Sequence, residues 1–175
     1  MIPLKIVSMP GHSAVKEMLL SQIEETDSFI IHEHGDKYPP LTDWEKYDDC
    51  EWEDYPSYWH TFSSLAEELI LDVVHDEFGY EDATFGNFWF QQYETKGQHD
   101  WHTHPQCLYH AIYYLELPKG TPPTLCRMPG GFEFTPNVKE GDILIMPSII
   151  EHTSPKNRSR NRKTVIAINI DNYNC

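Results

Sequence analysis

Four histidines, His99, His102, His104 and His110, fall within twelve consecutive positions. They lie in and beside the polar stretch QHDWHTHPQ, which separates two apolar segments. Side chains alternate in an extended chain, so His102 and His104 share a face, and two imidazoles there can reach one metal ion. A third ligand has to come from elsewhere in the fold. His152 qualifies, because it follows an apolar strand and Met146-Pro147 at a strand-to-loop junction. Two close ligands and one distant ligand make a three-point site that leaves positions open for substrate or oxygen, the geometry of non-haem iron. His12, His60, His75 and His99 read as structural or solvated. His110, inside a strand, reads as a core or cleft histidine. The pair His32 and His34 lies in an acidic loop without strand context and reads as polar surface.

The elements that must position these residues change character along the chain. Residues 1–8 alternate weakly, as a short strand does. Residues 13–24 carry Val15, Met18, Leu19 and Ile23 at helical spacing. A second helix is expected to start at the capping box Ser64–Glu67, with a stripe of Leu65, Leu69, Val73 and Phe78 and a stop at Gly79. After it the period falls to near 2. Residues 87–95, 107–117, 131–134, 142–146 and 163–170 read as strands, punctuated by Gly, Pro and Asn. Helices followed by short strands predict an α+β chain with a sandwich or barrel. Residues 26–60 hold many acids and the rings of Trp44, Trp52 and Trp59. A loop that long is either functional or misassigned. It reads as a lid bordering the metal face or as rings that cover the outside of the barrel.

The length of 175 residues fits one domain, 1–175, with an N-terminal helical and loop part at 1–84 and the barrel core at 85–175. The net charge of -15 repels phosphate, which disfavours nucleic acid and anionic membranes as partners and ranks a peptide side chain or small molecule above a nucleotide as substrate. No apolar run approaches the roughly 18 residues of a membrane helix, and the N-terminus lacks the form of a secretory signal. Cys50, Cys107, Cys126 and Cys175 are scattered without a CxxC pair, so a reduced, cytoplasmic chain is the expectation.

The segment Gly141-Asp-Ile-Leu-Ile-Met-Pro-Ser-Ile-Ile-Glu-His152 resembles the distal-ligand region of the 2-oxoglutarate/iron(II) dioxygenases. Trp89-Phe-Gln-Gln-Tyr93, Lys96-Gly97, Trp101-His-Thr-His-Pro105 and Ile112-Tyr-Tyr-Leu115 resemble a small branch of that superfamily with a His-x-His-Pro motif, and Ile168-Asn169-Ile170 resembles its last strand. The resemblance covers residues 85–171. It implies a double-stranded β-helix, the jelly-roll barrel shared with cupins, with the N-terminal helices packed on it. It also implies iron(II), 2-oxoglutarate as cosubstrate, O₂, and an oxidoreductase that transfers a hydroxyl group to a substrate. On this resemblance His102, His104 and His152 are the metal ligands and the catalytic centre.

Two departures qualify the resemblance. Most of the superfamily has a carboxylate where this chain has His104, and Asp100, on the same extended face, is the alternative ligand. The far carboxylate of 2-oxoglutarate is usually held by an arginine. Here Arg162 and Lys163 are adjacent, so only one can point inward; the alignment of Asn169 favours Lys163. Tyr93, Tyr113 or Tyr114 is a further donor. The competing readings are a cupin-type metal dioxygenase with three histidines and a metal-binding barrel without catalysis.

Overall fold

The computed structural model describes residues 4–30 and 38–172. The pair His32 and His34 and Cys175 lie outside the described residues.

Among these, the chain runs β1 (Lys5–Ser8), α1 (His12–Glu25), β2 (Phe29–Ile30), β3 (Leu41–Thr42), a 3₁₀ turn (Trp52–Asp54), α2 (Ser57–Phe78), β4 (Ala83–Tyr93), β5 (His99–His102), β6 (Tyr109–Glu116), β7 (Leu125–Arg127), β8 (Glu133–Phe134), β9 (Asp142–Pro147), β10 (Glu151–Ser154) and β11 (Lys163–Asn172). Seven strands form one antiparallel sheet in the order β1-β9-β6-β11-β4-β3-β2, and four form a second in the order β5-β10-β7-β8. Two sheets of non-sequential strands with helices on one of them are the expected double-stranded β-helix.

The large sheet is buried on both faces, which explains its nearly continuous apolar strands. Ile166, Ile168 and Ile170 of β11, Tyr113 of β6 and Phe88 and Phe90 of β4 pack in one core with Leu19 and Ile23 of α1 and Tyr58, Trp59, Phe62, Ala66, Ile70 and Val74 of α2. The alternate residues, Val165, Ile112, Tyr114 and Tyr93, face the small sheet and pack with Cys126, Met146 and Ile150.

Helix α2 starts at Ser57, directly after Pro56, and not at Ser64. Ser64 lies inside the helix and donates to the Thr61 carbonyl at 2.8 Å. The stripe is shifted accordingly. Burial of Tyr58, Trp59, Phe62, Ala66, Ile70 and Val74 sets the helix orientation, and Leu65, Leu69 and Phe78 are only its partly buried rim. The aromatic face extends the helix by two turns beyond the local capping signal, because tertiary burial of large rings outweighs a cap of about 1 kcal/mol. Gly79 does end the helix with φ 75°, as expected.

Segment 26–60 is not one loop. It contains β2, β3 and the first turn of α2. Trp59 is core, stacked on Phe88 with ring centroids 4.3 Å apart. Trp52 is exposed and packs on Tyr55 and His60. Trp44 leans on Trp89. Buried Asp43 ties the segment to the sheet by accepting from Tyr58 Oη (2.6 Å) and the Phe90 amide (3.0 Å).

Candidate metal centre and its cavity

His102 ends β5, and β10 pairs with β5 so that His152 lies opposite His102. The ladder slips there: three steps on β5, from His99 to His102, match two on β10, from His152 to Ser154. That bulge breaks the alternation assumed for an extended chain. His99 therefore stacks on His102, centroids 4.2 Å apart. Asp100 is exposed, and its Oδ1 accepts the Trp101 amide at 2.8 Å. His104 follows the strand, anchored by its amide to the Ser148 carbonyl at 3.1 Å.

One ring nitrogen each from His102, His104 and His152 lie within 4.8 Å of one another, and Asp100 is not in this group. Nδ1 of His102 is 2.8 Å from the Asp100 carbonyl, and Nδ1 of His152 is 3.1 Å from the Ile150 carbonyl. A carbonyl only accepts, so Nδ1 carries the proton in both rings and Nε2 keeps its lone pair. Nε2 of His104 is buried without a hydrogen-bond partner. Burial, and then the neighbouring His102, pushes the His104 pKa down to about 3, and burial holds His152 well below the usual imidazole value. His104 and His152 are thus neutral rings, the state a divalent metal requires of an imidazole ligand.

His110 is buried and stacks on His104 with centroids 3.7 Å apart and planes 15° apart. His110 lines the cavity but does not belong to the converging group, and its Nδ1 is buried without a hydrogen-bond partner among the described residues.

A narrow cavity of about 20 Å³ runs between the sheets from these histidines to Lys163. Trp89, Gln91, Thr124 and Ser154 also line it, and no acidic side chain among the described residues does. Lys163 is 1% exposed. Its Nζ donates to Ser154 Oγ (2.5 Å) and the Pro122 carbonyl (3.2 Å) and sits 4.5 Å from the Tyr93 ring centroid. No carboxylate among the described residues pairs with it, and burial pushes its pKa down to about 7. Ser154 and His152 are two residues apart on one strand, a rise of roughly 7 Å. A five-carbon dicarboxylate spans that distance.

Arg162 faces the other way. Its guanidinium binds Glu116 at 2.9 Å and Glu24 at 3.1 Å, outside the cavity. Strand parity separates the neighbours: Lys163 shares its face with Val165 and Ala167. Tyr113 also points away, its hydroxyl 2.6 Å from His12 Nδ1. Tyr114 donates to Thr124 at 2.8 Å, and Tyr93 donates to Gln91 at 2.7 Å. Sequence reasoning did not single out Gln91, Thr124 and Ser154. The only signal for Ser154 is its place two residues after His152.

No protein-family model and no curated protein sequence matches the chain. Solved structures do. SnoN, a non-heme alpha ketoglutarate dependent epimerase from nogalamycin biosynthesis, superposes with a TM-score of 0.73 at 9% identity, over 98% of this chain and 77% of that one. HygX from Streptomyces hygroscopicus, with nickel and 2-oxoglutarate bound, gives 0.72 at 11% identity, over 99% and 84%. A Pseudomonas putida prolyl-4-hydroxylase gives 0.66 at 12% identity, over 96% and 92%. The chain thus has the double-stranded β-helix fold of the 2-oxoglutarate/iron(II) oxygenases.

Proposed function

We propose that this chain is a 2-oxoglutarate- and iron(II)-dependent dioxygenase that hydroxylates a peptide side chain or a small molecule. The observation that carries the reading is one cavity with three convergent imidazoles at one end and, at the other, the buried Lys163 amine, which has no carboxylate partner among the described residues. The neighbour HygX, which holds nickel and 2-oxoglutarate, supports the reading through its shared fold.

His102, His104 and His152 hold the ion through the nitrogens left free by the carbonyl contacts and by burial. Three neutral ligands leave the ion's full charge in the site, which complements an anionic keto acid. Lys163 receives the far carboxylate as a point charge, with Ser154 and the Tyr93 ring fixing its position. The stacked rings of His110 and Trp89 hold His104 and keep water from that side. Bound iron(II) with 2-oxoglutarate supplies O₂ activation and oxidative decarboxylation of the keto acid.

Three histidines without a carboxylate also suit a cupin-type dioxygenase that takes no keto acid. Lys163 inside the cavity favours the first reading. Anaerobic titration with iron(II) and then 2-oxoglutarate separates the two by the visible charge-transfer band of the chelate. A saturable band is expected. Iron binding without any band in the wild type would refute the proposal and leave the cupin reading. His152→Ala should weaken iron binding at least tenfold, since even losing a partner of a ligand commonly costs about 10- to 100-fold; full iron stoichiometry in that variant would remove it from the ligand set.

A further inference from the structure

Two of the three ligand histidines owe their proton placement to the backbone. Nδ1 of His102 and Nδ1 of His152 each meet the carbonyl two residues earlier, those of Asp100 and Ile150. His104 is served by a side chain instead. Its ring donates to Asn169, and so does the ring of His110 stacked on it. Nε2 of His104 and Nδ1 of His110 are buried without a partner. The nitrogens that meet Asn169 are therefore Nδ1 of His104 and Nε2 of His110.

Asn169 reaches both rings from β11, directly opposite His110 in the β6–β11 ladder. On its other side the ladder slips: two steps on β11, from Ile168 to Ile170, match three on β4, from Phe88 to Phe85. A bulge of this kind re-aims a side chain. It falls at Gly86-Asn87, and the backbones approach so closely that a Cβ on Gly86 would lie 2.9 Å from the Asn169 carbonyl oxygen. Asn169 Nδ2 donates to Asn87 Oδ1 at 2.9 Å, and Asn87 Nδ2 donates to Asp48 Oδ1 at 3.5 Å. A carboxylate only accepts, so Asp48 sets the direction of this chain. It takes an N–H of Asn87, Asn87 Oδ1 takes an N–H of Asn169, and Asn169 Oδ1 is left facing the rings. Cys107 Sγ approaches the same oxygen at 3.5 Å, as a thiol donor does. An amide oxygen cannot donate, so each ring places its proton on the nitrogen that faces it.

We propose that Asn169, oriented by Asn87, is the positioning residue that fixes the tautomers of His104 and His110 and so makes Nε2 of His104 the metal-binding nitrogen. It does for His104 what the backbone carbonyls do for His102 and His152. It also holds the two stacked rings in opposite tautomers, and His110 keeps a lone pair on Nδ1 beside the cavity. The inference rests on the ligand set of the proposed dioxygenase centre and not on its keto acid.

Two-bond nitrogen–proton NMR correlations of the metal-free protein, with isotope-labelled histidine, read the tautomer of each ring. Wild type should carry the proton of His104 on Nδ1 and that of His110 on Nε2. Asn169→Leu should no longer hold His104 in the Nδ1–H form, and its iron(II) affinity by anaerobic titration should fall about 10- to 100-fold, the usual cost of losing the partner of a metal-bound imidazole. Asn169→Asp keeps an oxygen toward the rings and should keep both tautomers, with iron(II) bound no more weakly than in wild type. A purely structural Asn169 would lower the melting temperature of the variants and leave the tautomers of the folded protein unchanged. A wild-type His104 protonated on Nε2, the same tautomer in both rings, or wild-type iron(II) affinity in Asn169→Leu would overturn the proposal. Opposite tautomers and tight iron(II) binding without the 2-oxoglutarate band are instead the failure of the dioxygenase reading alone.

Discussion

Replacing Lys163 with methionine tests the ammonium that the cavity isolates. The unfolded chain holds this proton up to about the ordinary 10.5, and the folded chain releases it near 7. At about 1.4 kcal/mol per tenfold change in proton affinity, keeping the charge buried costs the fold roughly 5 kcal/mol below pH 7. Methionine removes that cost but leaves Ser154 Oγ and the Pro122 carbonyl without their donor, an offset of about 1–3 kcal/mol. The metal-free variant should therefore be more stable than wild type by about 2–4 kcal/mol at pH 7. The sign of the pH dependence follows from the lowered folded value. Between about pH 7 and 10 the unfolded chain binds more protons, so wild-type stability from this group rises with pH, by about 2 kcal/mol from pH 7 to 9. The gap between variant and wild type should shrink by that amount. Urea denaturation followed by tryptophan fluorescence at the two pH values measures it, and other titrating groups cancel in the comparison. In the same variant 2-oxoglutarate affinity should fall roughly 10- to 150-fold, the worth of one charge-assisted contact. A gap that does not change between pH 7 and 9, or a variant less stable than wild type at pH 7, would refute the claim that Lys163 is an uncompensated charge awaiting an anion.

Asp43 should show the opposite slope. Burial raises its pKa to about 6, so its contribution is fully present below about pH 4 and is lost as pH rises through 6, a change of about 3 kcal/mol; the stability difference between wild type and Asp43→Asn should follow that curve in urea titrations. Arg162→Gln removes contacts to Glu116 and Glu24 outside the cavity and should cost about 1 kcal/mol of stability, while 2-oxoglutarate affinity by anaerobic titration stays within about twofold.

Much of the fold is legible in local periodicity. The shift from helical to two-residue spacing near residue 85 locates the large sheet, because both faces of its strands are buried and stay apolar. His102, His104 and His152 are likewise legible as a set from spacing and resemblance. The small sheet is legible only at residues 131–134, where β8 forms. β5, β7 and β10 are three or four residues long and carry polar side chains, so their pattern is no stronger than that of a loop. The start of α2 was masked by a capping signal that the packing of Tyr58, Trp59 and Phe62 overrides.

The choice between neighbours belonged to the tertiary structure. In sequence, Arg162 and Lys163 are two adjacent cations, and His104 and Asp100 are two metal donors. The register of β11 turns Lys163 inward, where Ser154, Tyr93 and the Pro122 carbonyl arrive from separate parts of the chain, and leaves Arg162 to Glu24 of α1 and Glu116 of β6. The bulge between β5 and β10 accompanies an exposed Asp100, with His104 gathered beside His152. Periodicity records which residues share a face; which face meets a cavity, and how much water it loses there, depends on segments tens of residues away.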